Sequence, residues 1–293
     1  MGRGFESLRA YQWNYKMKEI ISCSRRTDIP WWYYGWLQDA LKAGSVELTN
    51  WYSNTQYTID LSKDNVHSIV LWSKNYSNFL KDPGLLSDYN LYFQFTLNGY
   101  SKSLEPNTPS VDDMIIQMRD LAEKYSPKQI NWRFDPIVLS TDGEDEPTTK
   151  IGRARLNRFE MLCAALSKFG IFRCTISFMD LYDKVEERMK RFSFVRLTDN
   201  QKIEFAYALI MIAKNYGIQL YSCSQPIIED VIGIEKGHCI DGELLTELFG
   251  DRASKAKDQG QRKACGCSKS RDIGNYDLKC SGNCLYCYAN PKE

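Results

Sequence analysis

Seven short runs rich in β-branched and aromatic residues, separated by stretches of helical period, restrict this chain more than any other feature. The runs are EIISC (19–23), VELTN (46–50), HSIVLW (67–72), LYFQFTL (91–97), QINWRF (129–134), FRCTISF (172–178) and IQLYSC (218–223). Each has the length and composition of a buried strand. Between them, helical patterns run through WWYYGWLQDALKAG, SVDDMIIQMRDLAEKYS, GRARLNRFEMLCAALSKFG and TDNQKIEFAYALIMIAKNYG. The last two close on Gly170 and Gly217, residues suited to the left-handed turn that ends a helix. Thr198 followed by Gln201 is a capping box, in which each side chain satisfies a backbone N–H of the other.

Strands alternating with helices call for a parallel sheet, because parallel neighbours need a crossover connection. The expected fold is α/β, a full or partial (β/α) TIM-type barrel. No G-x-G-x-x-G or P-loop follows any run to favour a doubly wound nucleotide fold. Three regions are expected: an extension over residues 1–16 that carries no clear period, a barrel core over 17–222, and a cysteine-rich segment over 223–293 folded onto it.

In such a fold the chemistry gathers where strands end. Arg25, Arg26, Thr27 and Asp28 follow the first run, Lys74 and Asn75 the third, Thr96 and Asn98 sit at the end of the fourth, Arg133 and Asp135 at the fifth, and Asp180 and Tyr182 follow the sixth. Asp28 also suits a second role, capping the helix that begins near Pro30. The Trp31–Tyr34 aromatic cluster reads as core packing, and His238, beside Cys239, as a candidate ligand.

The balance of 38 basic and 37 acidic residues gives no global footprint for nucleic acid, although Arg252–Arg271 is locally basic. No stretch approaches the length of apolar residues that a membrane-spanning helix needs, and a soluble, cytoplasmic protein is expected. Ten cysteines are many for such a chain, and in a reducing compartment they point to metal ligation or catalysis more than to disulfides. Cys163, inside the apolar stretch MLCAAL, reads as a core residue.

Cys280-Ser-Gly-Asn-Cys284-Leu-Tyr-Cys287 is a C-x3-C-x2-C run, and one tight loop of that spacing brings three thiolates around a four-iron, four-sulfur cluster. The fourth iron stays open, which S-adenosylmethionine (SAM) chemistry requires, since the amino and carboxylate groups of its methionine end can chelate it. Zinc sites favour paired C-x2-C knuckles with a fourth ligand. Tyr286 offers an aromatic face for adenine, and Gly282 relaxes the loop. Four more cysteines, Cys223, Cys239, Cys265 and Cys267, suit a second iron–sulfur cluster, a zinc site or unconnected buried thiols, and Cys23 is a substitute for one member.

CSGNCLYCYAN resembles the cluster loop of the spore photoproduct lyase branch of the radical SAM superfamily. TDIP, WSKN and LEPNTPS resemble, in order, three further segments of that branch. The loop departs in order, because most radical SAM enzymes carry it after the first strand. The whole pattern from ISCSRRTDIP to the tail is similar to an uncharacterised bacterial domain-of-unknown-function family with a C-terminal cluster motif. The resemblance implies that Lys74 pairs with the SAM carboxylate and that Thr96 and the Thr27-Asp28 turn lie near its ribose or amino group. Arg133, a bidentate donor, is the physical alternative as carboxylate partner.

The expected activity is reductive cleavage of SAM at the cluster to give a 5′-deoxyadenosyl radical, with electrons from a flavodoxin or ferredoxin. The substrate is open among a small molecule, a peptide and a nucleic acid. The alternative from another class is a non-catalytic module, stabilised by zinc or a cluster, that binds nucleic acid through Arg252–Arg271.

Overall fold

The computed structural model describes residues 17–50, 53–139, 148–190, 192, 194–275 and 277–290; the expected extension over 1–16 lies outside them. The chain opens with β1 (Glu19–Cys23), α1 (Ile29–Trp32), α2 (Tyr34–Ala43), β2 (Ser45–Thr49), β3 (Gln56–Asp60), β4 (Val66–Ser73) and α3 (Ser77–Lys81). It continues through β5 (Leu91–Thr96), α4 (Val111–Lys124), β6 (Ile130–Ile137), α5 (Thr148–Leu166), β7 (Arg173–Phe178), α6 (Asp183–Met189), α7 (Asp199–Asn215) and β8 (Gln219–Ser222). It closes with α8 (Pro226–Glu229), β9 (Ile234–Lys236), α9 (Gly242–Phe249) and β10 (Arg271–Asp272).

Eight strands form one parallel sheet in the order β10-β1-β4-β5-β6-β7-β8-β9. From β1 through β9 each new strand of this sheet joins the same side, and β10 joins the other edge beside β1. Crossovers wound in one direction put α2, α4, α5 and α7 on one face. That face is the large core: Leu37 and Leu41 of α2, Met114 and Met118 of α4, Phe159 and Leu162 of α5, and Leu209 of α7 pack against Ile21, Leu71, Phe93, Trp132 and Ile176. The Trp132 indole stacks on the Phe159 ring at 5.3 Å between centroids. Cys163 and Cys174 belong to this core, and so does Cys23, whose side chain therefore points away from the other cysteines and is no substitute ligand.

Because side chains alternate across a strand, the residues between these point to the opposite face. Ile20, Val70 and Tyr92 project there, with Gln94, Asn131 and Thr175 beside them as a buried polar patch. Asn131 Nδ2 donates to Gln94 Oε1 at 2.6 Å and to Thr175 Oγ1 at 2.9 Å. A half-polar sheet face has to be covered by something that satisfies it, and the C-terminal segment does so. Ile240, Leu245 and Ala253 pack on the apolar part, and Gln94 Nε2 donates to the Cys239 carbonyl at 2.6 Å.

Six of the seven expected strands lie in this sheet. VELTN does not: as β2 it pairs antiparallel with β3 in a separate ribbon. Neither ribbon strand is buried on both faces, and their short connection suits a hairpin and not a crossover. β9 and β10, of three and two residues, add the two edges and went unrecognised in the sequence. They do not pair with each other, so no closed barrel forms among the described residues. No described helix is long and apolar enough to cross a membrane.

Candidate functional site

The tail crosses the carboxyl ends of the first strands because specific polar groups hold it there. Asp272 accepts from Ser22 Oγ at 3.0 Å, Ser24 Oγ at 2.7 Å and the Arg25 N–H at 3.0 Å. Further along, Tyr33 donates its hydroxyl to the Lys279 carbonyl at 2.6 Å, Asn107 Nδ2 donates to the Ser281 carbonyl at 2.7 Å, and the Leu285 N–H donates to the Leu104 carbonyl at 3.0 Å. These bonds seat the Cys280–Cys287 loop beside the ends of β1, β4 and β5, with Cys280 near Asp28 and Cys284 near Lys74; the three sulfurs of the loop do not lie within 4.8 Å of one another.

Cys280 lies against the start of α1, where the Asp28 and Gly282 N–H groups face its sulfur; burial and the Asp28 carboxylate nevertheless raise its thiol to about 11. Burial raises Cys284 too, against the pull of the Lys74 ammonium, and each of these two thiols feels the charge of Cys287. A Cβ on Gly282 would stand 3.4 Å from Cys280 Sγ and 3.9 Å from both Cys284 Sγ and Trp32 Nε1. Trp32 Nε1 and Thr27 Oγ1 are buried without a hydrogen-bond partner.

Asp28 fills the capping role foreseen for it. It caps α1 by accepting from the Trp31 N–H at 3.2 Å, and it also accepts from Ser73 Oγ at 2.6 Å and the Lys74 N–H at 2.8 Å, tying the end of β1 to the end of β4. Burial pushes its carboxyl up to about 6, offset by those donors. Lys74 donates to Glu105 Oε1 at 2.8 Å, and the Tyr286 hydroxyl donates to the same oxygen. Asn98 Nδ2 reaches the Tyr286 oxygen at 3.1 Å. Glu105 is fully buried, yet the Lys74 ammonium holds its carboxyl below the usual range against the penalty of burial. Glu105 lies within LEPNTPS, but sequence reasoning did not single it out as a site residue.

A second group of thiols gathers on the wall made by β6, β7, β8 and the segment that covers the polar face. Cys223, Cys239 and Cys267 place their sulfurs within 4.8 Å of one another and can hold a metal ion. Cys265 joins them, since the Cys223 thiol reaches Cys239, Cys265 and Cys267. Hydrogen bonding from Cys223 lowers Cys265 and Cys267, while donating to the other thiols raises Cys223 itself. Arg133 Nη1 stands 3.1 Å from Cys239 Sγ, and its other arm pairs with Asp135. Both Arg133 and Arg25 lie over the Trp72 ring, at 5.1 Å and 5.6 Å. His238 is not part of this group; its Nδ1 stands 3.9 Å from Asp241 Oδ2.

One cavity of about 300 Å³ connects the two groups. Its lining includes Lys74, Thr96, Arg133, Tyr286 and Cys287 together with Cys223, Cys239, Cys265 and Cys267. Thr96 pairs in register with Arg133. Thr27, Asp28, Cys280 and Cys284 sit behind this lining. Three cations of the basic segment are occupied within the chain: Arg262 pairs with Asp180 at 2.6 Å, Lys255 with Glu243 at 2.7 Å, and Lys257 donates to the Lys263 carbonyl at 2.8 Å.

A family model described as "Domain of unknown function (DUF1848)" matches residues 20–289. The chain belongs to this family. The match spans both cysteine groups and all but the first residue of the sheet, so the family is defined over the site as well as the fold. No curated protein matches the chain. Among solved structures it is similar to one titled "Crystal structure of D-hydantoinase", at 10% identity and a TM-score of 0.31, with 65% of this chain and 38% of that chain covered. The chain thus spans well under half of that protein's length.

Proposed function

We propose that this protein is a cytoplasmic radical SAM enzyme whose Cys280, Cys284 and Cys287 hold a four-iron cluster open at one corner, on a sheet that is a partial (β/α) barrel. The observation that carries the reading is the placement of the C-x3-C-x2-C loop beside the Lys74–Glu105–Tyr286 network at the carboxyl ends of β1, β4 and β5. Three features of the chain fit such a cluster. The cysteine spacing suits one loop around three irons. Gly282 keeps the space beside Cys280 and Cys284 clear of a side chain, and the unpartnered Trp32 N–H beside it is a donor of the kind that stabilises cluster sulfur.

A cluster held by Cys280, Cys284 and Cys287 would supply the one electron needed to split SAM into methionine and a 5′-deoxyadenosyl radical, which would take hydrogen from substrate. The chain's own residues bind and orient. Glu105 uses one of the three Lys74 donors and fixes the ammonium, leaving the others to receive the SAM carboxylate. Thr27, whose buried hydroxyl has no partner, does not line the cavity. Arg133 is committed to Asp135, Gln94 and Cys239, which favours Lys74 over it as the carboxylate partner. Tyr286 is held by Glu105 and Asn98 with its ring at the cavity, suited to an adenine face. The tail, seated across the strand ends, excludes water from the reacting atoms. A flavodoxin or ferredoxin would deliver the electron, and a cavity of about 300 Å³ suits a small molecule or a single group of a larger one.

Anaerobic reconstitution tests this. Brown protein with about four irons and four sulfides at the Cys280–Cys287 loop, forming 5′-deoxyadenosine from SAM with dithionite, is the expected result. Cys284→Ala should abolish that product. A colourless protein with tightly bound zinc and no SAM cleavage would overturn the proposal and favour the nucleic-acid module.

A further inference from the structure

Four cysteines outside the C-terminal loop converge from three separate stretches of chain. Cys223 follows β8, Cys239 precedes α9, and Cys265 and Cys267 lie between α9 and β10. Backbone bonds fix each stretch against the next: the Gly237 N–H donates to the Ser222 carbonyl at 2.6 Å, and the Ser268 N–H donates to the Ile240 carbonyl at 2.9 Å. Gly266, between the last two cysteines, permits the closest approach. A Cβ there would stand 2.5 Å from His238 Nε2, so the bare backbone lets the turn that carries Cys239 lie against it. The sulfurs of Cys223, Cys239 and Cys267 lie within 4.8 Å of one another, and Cys265 is in contact with Cys223 and Cys267.

That spacing separates the explanations. Four thiolates each about 2.3 Å from one ion stand about 3.8 Å apart at the corners of a tetrahedron. A four-iron cube interposes several metal atoms between its ligands and holds them farther apart, so this group surrounds one ion. Burial alone accounts for less. Cys265 and Cys267 pack with Ile240, Leu245 and Ala253, as free thiols can, but apolar packing gives four sulfurs no reason to meet at one point. It also leaves the cations beside them unexplained. Arg133 Nη1 stands 3.1 Å from Cys239 Sγ, and Arg25 faces Cys267 with its Nη2 buried and without a hydrogen-bond partner. Four thiolates around a divalent ion keep a net negative charge for these guanidinium groups to offset; four neutral thiols carry none. The chain here also needs a tie. Residues 250–270 form no helix or strand beyond a single bridge between Lys257 and Ser268, and a metal cross-link is the usual substitute where a segment has little core of its own.

We propose that Cys223, Cys239, Cys265 and Cys267 hold one zinc ion in a tetrahedral four-thiolate site that ties the segment covering the polar sheet face to the end of β8. The chain fills all four coordination positions, so the ion binds no substrate. Its task is a cross-link that passes no electron, which suits a metal without redox chemistry. Closing the site also fixes one wall of the cavity, to which all four cysteines contribute. The assignment uses none of the residues of the C-terminal loop and is independent of the SAM reading.

The test is metal analysis of the full chain purified without reconstitution. Wild type should carry about one zinc per chain, with X-ray absorption at the zinc edge showing four sulfur neighbours at about 2.3 Å. C239A/C267A should lose this zinc, and its amide exchange should speed over 237–270 while β4, β5 and β6 keep their protection. C280A/C284A/C287A should keep the zinc in full. Should C239A/C267A fail to fold, the wild-type spectrum decides: a shell of four sulfurs supports the proposal, and one that includes nitrogen or oxygen overturns it. Wild type without zinc, iron at these four cysteines, disulfides between them, or loss of the zinc from C280A/C284A/C287A would also overturn it. Zinc held as expected, with no 5′-deoxyadenosine from reconstituted wild type, would sink the SAM reading alone.

Discussion

The buried Lys74–Glu105 pair permits a quantitative test. Glu105 is 2% exposed, and its Oε1 receives both the Lys74 ammonium at 2.8 Å and the Tyr286 hydroxyl. Glu105→Gln keeps the shape and the acceptor oxygen but removes the charge, so an ammonium only 14% exposed is left without a counter-ion. Breaking a buried pair from one side costs about 3–5 kcal/mol. An exposed pair would cost at most about 1 kcal/mol. In the double variant Lys74→Met/Glu105→Gln neither charge remains, and the loss should fall to within about 2 kcal/mol of wild type, since neutral replacement of both partners is often tolerated. The coupling between the two sites should therefore exceed about 1 kcal/mol. Urea denaturation followed by tryptophan fluorescence reads all three variants. A Glu105→Gln loss below about 1 kcal/mol, or a double variant whose loss equals the sum of the two singles, would refute the account of a desolvated, mutually dependent pair.

Further expectations follow from particular contacts. Gly282→Val should lower the iron retained at the C-terminal loop, measured by iron analysis, whereas Gly282→Ala should retain it, because a Cβ alone meets Cys280 Sγ at an ordinary 3.4 Å. Gly242→Ala puts a Cβ 1.9 Å from the Ser254 carbonyl oxygen, where backbone has to move; a loss of about 1–3 kcal/mol and faster amide exchange over 240–268 should result. Asp272→Ala orphans the Ser22 and Ser24 hydroxyls and the Arg25 N–H, so it should cost about 1–3 kcal/mol and speed proteolysis of the tail. Trp132→Ala should cost about 3–5 kcal/mol by thermal unfolding, since the indole is fully buried against Phe159.

Much of the scaffold was legible in the residues. Strands buried on both faces read as near-continuous apolar runs, and helices closed by Gly170 and Gly217 or opened by the Thr198 capping box carry their signals within a few positions. Cys163 was legible as core because the apolar stretch around it sets its face. The C-x3-C-x2-C loop was equally local. VELTN misled because a strand's composition does not say which sheet takes it, and β9 and β10 are too short to show any period.

The amino-acid order by itself determined which of the longer segments are strands and helices, and which three cysteines share a loop, because backbone period and spacing act over a few residues. Tertiary structure alone decided the rest. Glu105 meets Lys74 and Tyr286 across 31 and 181 positions, and Cys223, Cys239, Cys265 and Cys267 meet only where the tail covers the polar face of the sheet. That meeting depends on single-direction winding, which leaves one sheet face bare, and on the need of buried polar groups for partners, which the tail supplies.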